Sequence, residues 1–131
     1  MQDSPRQVSE LRIPAVRTIA MPADTNPAGD IFGGWILAQM DIAGGVCGYK
    51  RAGGRVATVA IEGMKFHAPV MVGDVVSFYA EVTSVGRTSI TITVDAWAQR
   101  GRTGEEVKVT EGRFVYVAID DERRPRPVPE V

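Results

Sequence analysis

The chain has 131 residues and a mass of 14.1 kDa, room for one domain with a real core but not for a separate cofactor domain. With 44% hydrophobic and 24% charged residues it has the balance of a globular protein rather than a disordered one. Fifteen Lys and Arg against sixteen Asp and Glu leave no basic excess for phosphate backbones, which argues against a nucleic-acid partner. One cysteine, Cys47, excludes an intrachain disulfide framework, and with the single His67 it excludes a Cys/His zinc cluster. Such cysteine usage suggests a reducing, cytoplasmic setting.

The first ten residues, MQDSPRQVSE, are polar and charged, so residues 1–11 read as a flexible lead-in rather than a signal peptide or anchor. Arg12 to Ala20 is expected to form a first strand, and Pro14 suggests an edge position. Met21 to Asp30 is dense in Pro, Asp, Asn and Gly and reads as a loop. From Gly33 to about Tyr49 the residues Ile36, Met40, Ala43 and Cys47 fall at helical spacing. Trp35, Leu37, Ala38, Ile42 and Val46 make the opposite side apolar as well, so the helix is expected to be surrounded rather than amphipathic. Ile31 to Tyr49 is nearly long enough to span a bilayer. Its five glycines, and Gln39 and Asp41 near its middle, fit a helix buried in a soluble protein better, so no membrane partner is expected.

The rest reads as β. Val56 to Met64 is rich in β-branched residues. In Val76 to Val82, Val76, Phe78, Ala80 and Val82 share one face, while Ser77, Tyr79 and Glu81 take the other. Ser89 to Ala98 repeats the alternation, with Ile90, Ile92, Val94, Ala96 and Ala98 inward. Val85-Gly86-Arg87-Thr88 is the hairpin turn between these strands, and a Gly101–Gly104 turn leads to a last strand over Val107 to Ile119. Residues 123–131, with three prolines, read as an extended tail beyond a domain at 12–122.

One enveloped helix placed between a first strand and four long antiparallel strands is an α+β arrangement, and it resembles the hotdog fold. Its long edge strands need covering, which implies at least a dimer.

Asp41 is the one side chain that carries a formal charge in the stretch Ile31 to Tyr49. It is either an acid at the helix surface meeting water or a cation, or a buried carboxylate held for chemistry. Gly33 and Gly34 open the helix. They either make a tight turn or let backbone N–H groups approach a developing oxyanion.

The run MPADTNPAGDIFGGWILAQMDIAGG resembles the acyl-CoA thioesterases of the hotdog superfamily, in particular the YciA-like acyl-CoA hydrolases. Those share N-x-x-G-(D/N)-x-(F/H)-G-G followed by a helix bearing Q-M-D. GRVATVAIEGMKFHAPVMVGDVVSFYAEV, VGRTSITITVDAWAQR and FVYVAIDDERRPRPVP resemble the family's later strands and tail, so the likeness runs from Arg17 to Pro129. It implies Asp41 as the catalytic carboxylate, acting as general base on water or as a nucleophile. It implies Asn26 as the loop asparagine, reaching the site from the other subunit of a dimer. The amides of Gly33 or Gly34 become the oxyanion donors, and Phe32 stands where many relatives carry His. From spacing alone, Asn26 is an Asx-turn residue.

The implied reaction splits acyl-CoA into a carboxylic acid and CoA, without a metal or a cofactor beyond the substrate's own CoA. Arg55, Val56 and Ala57 with Arg87, Thr88 and Ser89 are the segments expected along the pantetheine arm. Arg55, Arg87 and the Arg123–Arg124 pair are the cations available for the CoA phosphates, or are solvated surface charges. His67 would suit a hydratase or dehydratase, but it lies outside the helix-entry loop. Cys47 reads as a core residue and Asp74 as part of a turn, while Asp24 and Asp30 flank the loop and Asp30 is a candidate to brace it. A non-catalytic acyl-CoA-binding protein is the other alternative, and self-association into a dimer, then a tetramer or hexamer, is expected.

Overall fold

The structure is a computed structural model describing residues 12–131; the lead-in expected over residues 1–11 lies outside the described residues. In chain order the elements are β1 (Val16–Ile19), a 3-10 turn (Pro22–Asp24), helix α1 (Gly33–Ala52), β2 (Val56–Phe66), β3 (Val75–Val85), β4 (Ser89–Gln99) and β5 (Glu106–Ala118). The strands form one sheet in the order β1-β3-β4-β5-β2, with every pairing antiparallel. A single helix laid across such a sheet is the hotdog arrangement that the sequence implies. The first strand is shorter than expected, Val16–Ile19 rather than Arg12 to Ala20, and it does lie at a sheet edge.

Alternation in β4 sets the core. Ile90, Ile92, Val94, Ala96 and Ala98 are all fully buried and meet the helix, together with Val76, Phe78, Phe114 and Tyr116 from the flanking strands. The opposite face of β3 is not left to water, as strict alternation would have it. Ser77 and Tyr79 are buried there because the Arg12 guanidinium lies 4.0 Å from the centre of the Tyr79 ring, and Arg17 Nε donates to Ser77 Oγ at 2.7 Å. Arg12 also binds Asp95 at 2.7 Å, and Asp95 accepts the indole N–H of Trp97 at 2.8 Å.

Helix α1 runs one turn further than expected and ends on Gly53, whose φ of 67° is the left-handed C-cap conformation that glycine adopts without strain. Its sheet side buries Ile36, Met40, Ala43, Gly44, Gly48 and Ala52. Trp35, at the helix start, meets Phe78 edge-on with ring centres 6.3 Å apart. The expectation that the sheet surrounds the helix is corrected here. Ile42, Val46 and Tyr49 on the far side are 52%, 48% and 57% exposed, because a single sheet can cover only one face of a cylinder.

Two clasps close the ends. Asp74, only 2% exposed, accepts from Arg100 at 2.5 Å and from the Met71 amide at 2.8 Å, and Arg100 also donates to the Pro69 carbonyl. This holds the turn before β3 against the end of β4. Residues 125–131, beyond a turn at Arg123, are extended and lie on the domain. The Val128 amide donates to the Arg87 carbonyl, Arg51 to that of Pro129, and Arg126 to those of Ile119 and Ala52. The last of these satisfies a carbonyl that the helix end leaves without an internal partner.

Candidate active site

Asp41 sits two turns into α1, half-buried against β5. Its Oδ1 accepts two hydroxyl donors, Thr58 at 2.8 Å and Tyr116 at 2.9 Å, and the Tyr116 hydroxyl also lies 3.1 Å from the Asp41 carbonyl oxygen. Thr58 and Tyr116 are direct partners across β2 and β5, so their side chains rise from the same face of the sheet. Among the described residues, no hydrogen bond is made to Oδ2. Burial first, and then the adjoining Asp41 carboxylate, push the Tyr116 phenol above its ordinary range, which keeps it a neutral donor.

Gly44, one turn after Asp41, explains how a tyrosine reaches the helix backbone. A Cβ there would overlap the Tyr116 hydroxyl and come within 3.0 Å of its Cζ. Gly44, Thr58 and Tyr116 are not among the site residues expected from the sequence. A glycine in mid-helix, one turn past an isolated acid, is the signal that could have found the first.

The helix begins at Gly33 and Gly34, both exposed with open space about them. The Phe32 carbonyl accepts from Trp35 and Ile36, so the first amides of the helix have no carbonyl within it to pair with. Gly33 borders an open cleft of about 330 Å³ whose walls also include Ile31, Ile36, Phe66, His67, Pro69 and Val70.

Asn26 uses its side-chain oxygen within its own loop, accepting from the amides of Ala28 at 2.9 Å and Asp30 at 3.1 Å. This is the Asx-turn that spacing alone favoured. Its amide nitrogen is the part left to meet another molecule, and no hydrogen bond joins it to Asp41 among the described residues. Asp24 braces the same loop, accepting from the Met21 amide through its carboxylate and from Phe32 through its carbonyl. Asp30 contributes its backbone, whose carbonyl accepts from the Asn26 amide at 2.7 Å.

The two segments expected along the pantetheine arm lie on either side of the end of β5. Val56 and Ala57 pair with Ala118 and Val117, Ser89 pairs with Val117, and the carbonyls of Arg55 and Thr88 accept from Ile119 and Ala118. Arg55 borders an open cleft of about 470 Å³ with Tyr49, Asp120, Asp121 and Arg126, while the Arg87 carbonyl holds the tail. Arg123 and Arg124 occupy a turn organised by Asp120 Oδ1, which accepts the Arg124 amide at 2.9 Å.

His67 lies beyond β2, 3.5 Å from Glu111, a carboxylate that Lys108 also engages and thereby holds below its ordinary range. Burial raises the Cys47 thiol, which keeps it protonated and makes it a poor nucleophile. Among the described residues, no cluster of three metal-ligating side chains occurs, and no helix is long and apolar enough to cross a membrane.

This is a hotdog-fold protein whose central helix carries a hydroxyl-held carboxylate. The chain belongs to the Thioesterase superfamily, whose sequence model matches residues 28–105. The acyl-CoA thioester hydrolase YciA of Salmonella typhimurium is 50% identical over 117 residues, spanning 87% of this chain and 88% of that protein. A hexameric thioesterase from Yersinia pestis superposes with a TM-score of 0.87 at 48% identity, covering 91% of this chain and 97% of that one. A hexameric broad-specificity acyl-coenzyme A thioesterase, solved as an aspartate-to-alanine variant, gives the same TM-score at 45% identity, covering 90% and 87%.

Proposed function

We propose that this chain hydrolyses acyl-CoA thioesters, with Asp41 as the residue that takes the proton. The observation that carries the reading is the Asp41 carboxylate, held at Oδ1 and, among the described residues, without a hydrogen bond at Oδ2, on the central helix of a chain half-identical to an acyl-CoA thioester hydrolase. A water beside Oδ2 attacks the thioester carbonyl and gives its proton to the carboxylate. The C–S bond then breaks, and the proton passes to the departing CoA sulfur. Direct attack by Asp41 on the same carbonyl, through an anhydride, is the other route open to this group.

The unpaired amides of Gly33 and Gly34 suit the oxygen on which charge develops; one such donor is typically worth about 10²–10³-fold in rate. Asn26 offers donors only, since its oxygen is spent in the loop, so it would bind the carbonyl oxygen or the water by its amide N–H. Among the described residues no hydrogen bond joins it to Asp41, and we place it in the site of a second copy. The half-exposed Ile42, Val46 and Tyr49 give that copy an apolar surface to cover, and the similar solved thioesterases are hexamers. Arg55, Val56, Ala57, Arg87, Thr88 and Ser89, gathered at one end of the sheet, are where we place the CoA arm. The reaction needs no further cofactor, and the lone, protonated Cys47 suits a reducing cytoplasm.

A hydratase would work through His67, which lines the helix-entry cleft together with Gly33 but is paired with Glu111 at 3.5 Å rather than with Asp41. A mere binder would have no use for the carboxylate. Thiol release, followed with a thiol reagent on acyl-CoAs of roughly two to sixteen carbons, separates hydrolysis from both. Release that depends on Asp41 supports the proposal. Binding without release, or water addition to an enoyl-CoA, overturns it.

A further inference from the structure

Asp41 meets β2 and β5 through two hydroxyls that converge on one of its oxygens. Thr58 donates to Oδ1 at 2.8 Å, and Tyr116 donates to Oδ1 at 2.9 Å while spanning back to the residue's own carbonyl at 3.1 Å. With a single proton to give, the Tyr116 hydroxyl shares its donation between Oδ1, the nearer oxygen, and the Asp41 carbonyl. The arrangement is built deliberately into the fold. Thr58 faces Tyr116 directly across the strands, and the register slips immediately after it, between Thr58 and Ala60. The slip leaves Val59 without a strand partner and sets Ile61, rather than Ala60, on the face shared by Phe114 and Tyr116. On the helix, Gly44 leaves open the space that the tyrosine hydroxyl fills.

We infer that Thr58 and Tyr116 are positioning residues for Asp41: by engaging Oδ1 together they fix the carboxylate in one orientation and present Oδ2 to the attacking water. The inference rests on the proposed role of Asp41 and adds the means by which the base is aimed. A carboxylate on a helix has freedom about two side-chain torsions, and each misaligned state is lost to catalysis. Two donors on the same oxygen remove that freedom and leave the lone pairs of the other oxygen as the proton acceptor. The phenol stays neutral, so it donates throughout the working pH range. Gly44 is the third member, acting by having no side chain.

The test uses substitutions that change a hydroxyl and little else. Tyr116→Phe should lower kcat about tenfold with KM nearly unchanged, because substrate still binds while the base is loosely aimed. Thr58 supplies the sharper comparison. Thr58→Val keeps the β-branched shape and loses the donor, whereas Thr58→Ser loses the branch and keeps the donor. A merely structural role in a strand favours valine. Positioning requires the reverse order, with serine near wild type and valine several-fold slower in kcat. If valine matches or exceeds serine, or if Tyr116→Phe turns over at the wild-type rate, the inference is overturned. Should Tyr116→Phe fail to fold, the Thr58 pair decides alone. Asp41→Asn is assayed beside them. If it keeps its turnover, the proposed role of Asp41 is wrong; if it is inactive while the hydroxyl variants are unimpaired, only the positioning fails.

Discussion

Gly44 and Tyr116 share one volume: the phenol oxygen occupies the place where a Cβ on residue 44 would stand. In mid-helix, replacing Gly by Ala is ordinarily stabilising by roughly 1 kcal/mol. Here the added methyl overlaps a fully buried side chain that is hydrogen-bonded to Asp41, and overpacking of this kind typically costs about 1–3 kcal/mol. We therefore expect Gly44→Ala to melt at a lower temperature than wild type and to lose turnover as well. Adding Tyr116→Phe removes the overlapping oxygen, so the double variant should regain melting temperature but not kcat. A Gly44→Ala protein more stable than wild type would contradict the packing described.

Asp41→Asn preserves the shape of the side chain and removes the proton acceptor. The expected result is a loss of about 10²–10⁴-fold in kcat with an unchanged circular dichroism spectrum. Near-wild-type turnover in the purified variant would rule Asp41 out as the base.

Asn26 serves its loop with one atom and, on our reading, the substrate with another. Asn26→Asp keeps the oxygen that accepts from Ala28 and Asp30 but has no amide donors. It should fold as wild type and hydrolyse slowly, whereas Asn26→Ala should lose both rate and some thermal stability. Equal melting temperatures for all three proteins would show that the loop does not need the turn.

If Asn26 and Asp41 of one site lie on different subunits, co-expressed Asn26→Ala and Asp41→Ala chains should recover activity that neither parent has. Random pairing makes half the dimers mixed, each with one intact site, so recovery should approach about a quarter of wild type per chain. Tagged mixed dimers as inactive as their parents would place both residues in the same chain.

Arg100 and Arg113 allow a direct comparison of ion pairs. Asp74 is 2% exposed and has Arg100 at 2.5 Å, while Arg113 and Glu62 stand 3.8 Å apart and more than half exposed. Arg100→Ala strands a buried carboxylate and should cost about 3–5 kcal/mol in denaturant unfolding. Arg113→Ala should shift stability by less than about 1 kcal/mol. Similar effects at the two positions would mean that burial does not govern them.

The parts of this fold that could be read from the sequence were those carried by period. The two-residue alternation in β4 placed Ile90 to Ala98 inward, and all five residues are buried. The helix was equally visible, and Asp41 stood out as the lone acid within it. What escaped was whatever depends on register. Thr58 reaches Asp41 because it faces Tyr116, and that partnership is set by strand pairing and a bulge at Val59, not by anything local to either segment. What covers the far side of the helix is not legible for a related reason. Apolar residues all around a helix state that every side is covered, but not by which chain.

The two tryptophans stand on opposite faces of the sheet, and this gives the protein a built-in optical probe. Trp35 lies at the helix start against Phe78, beside the amides of Gly33 and Gly34, while Trp97 is fixed on the outer face by Asp95. In a Trp97→Phe background, all indole emission comes from the helix entry. Ligand arrival there can then be timed without a label, in the same molecule whose turnover is being measured.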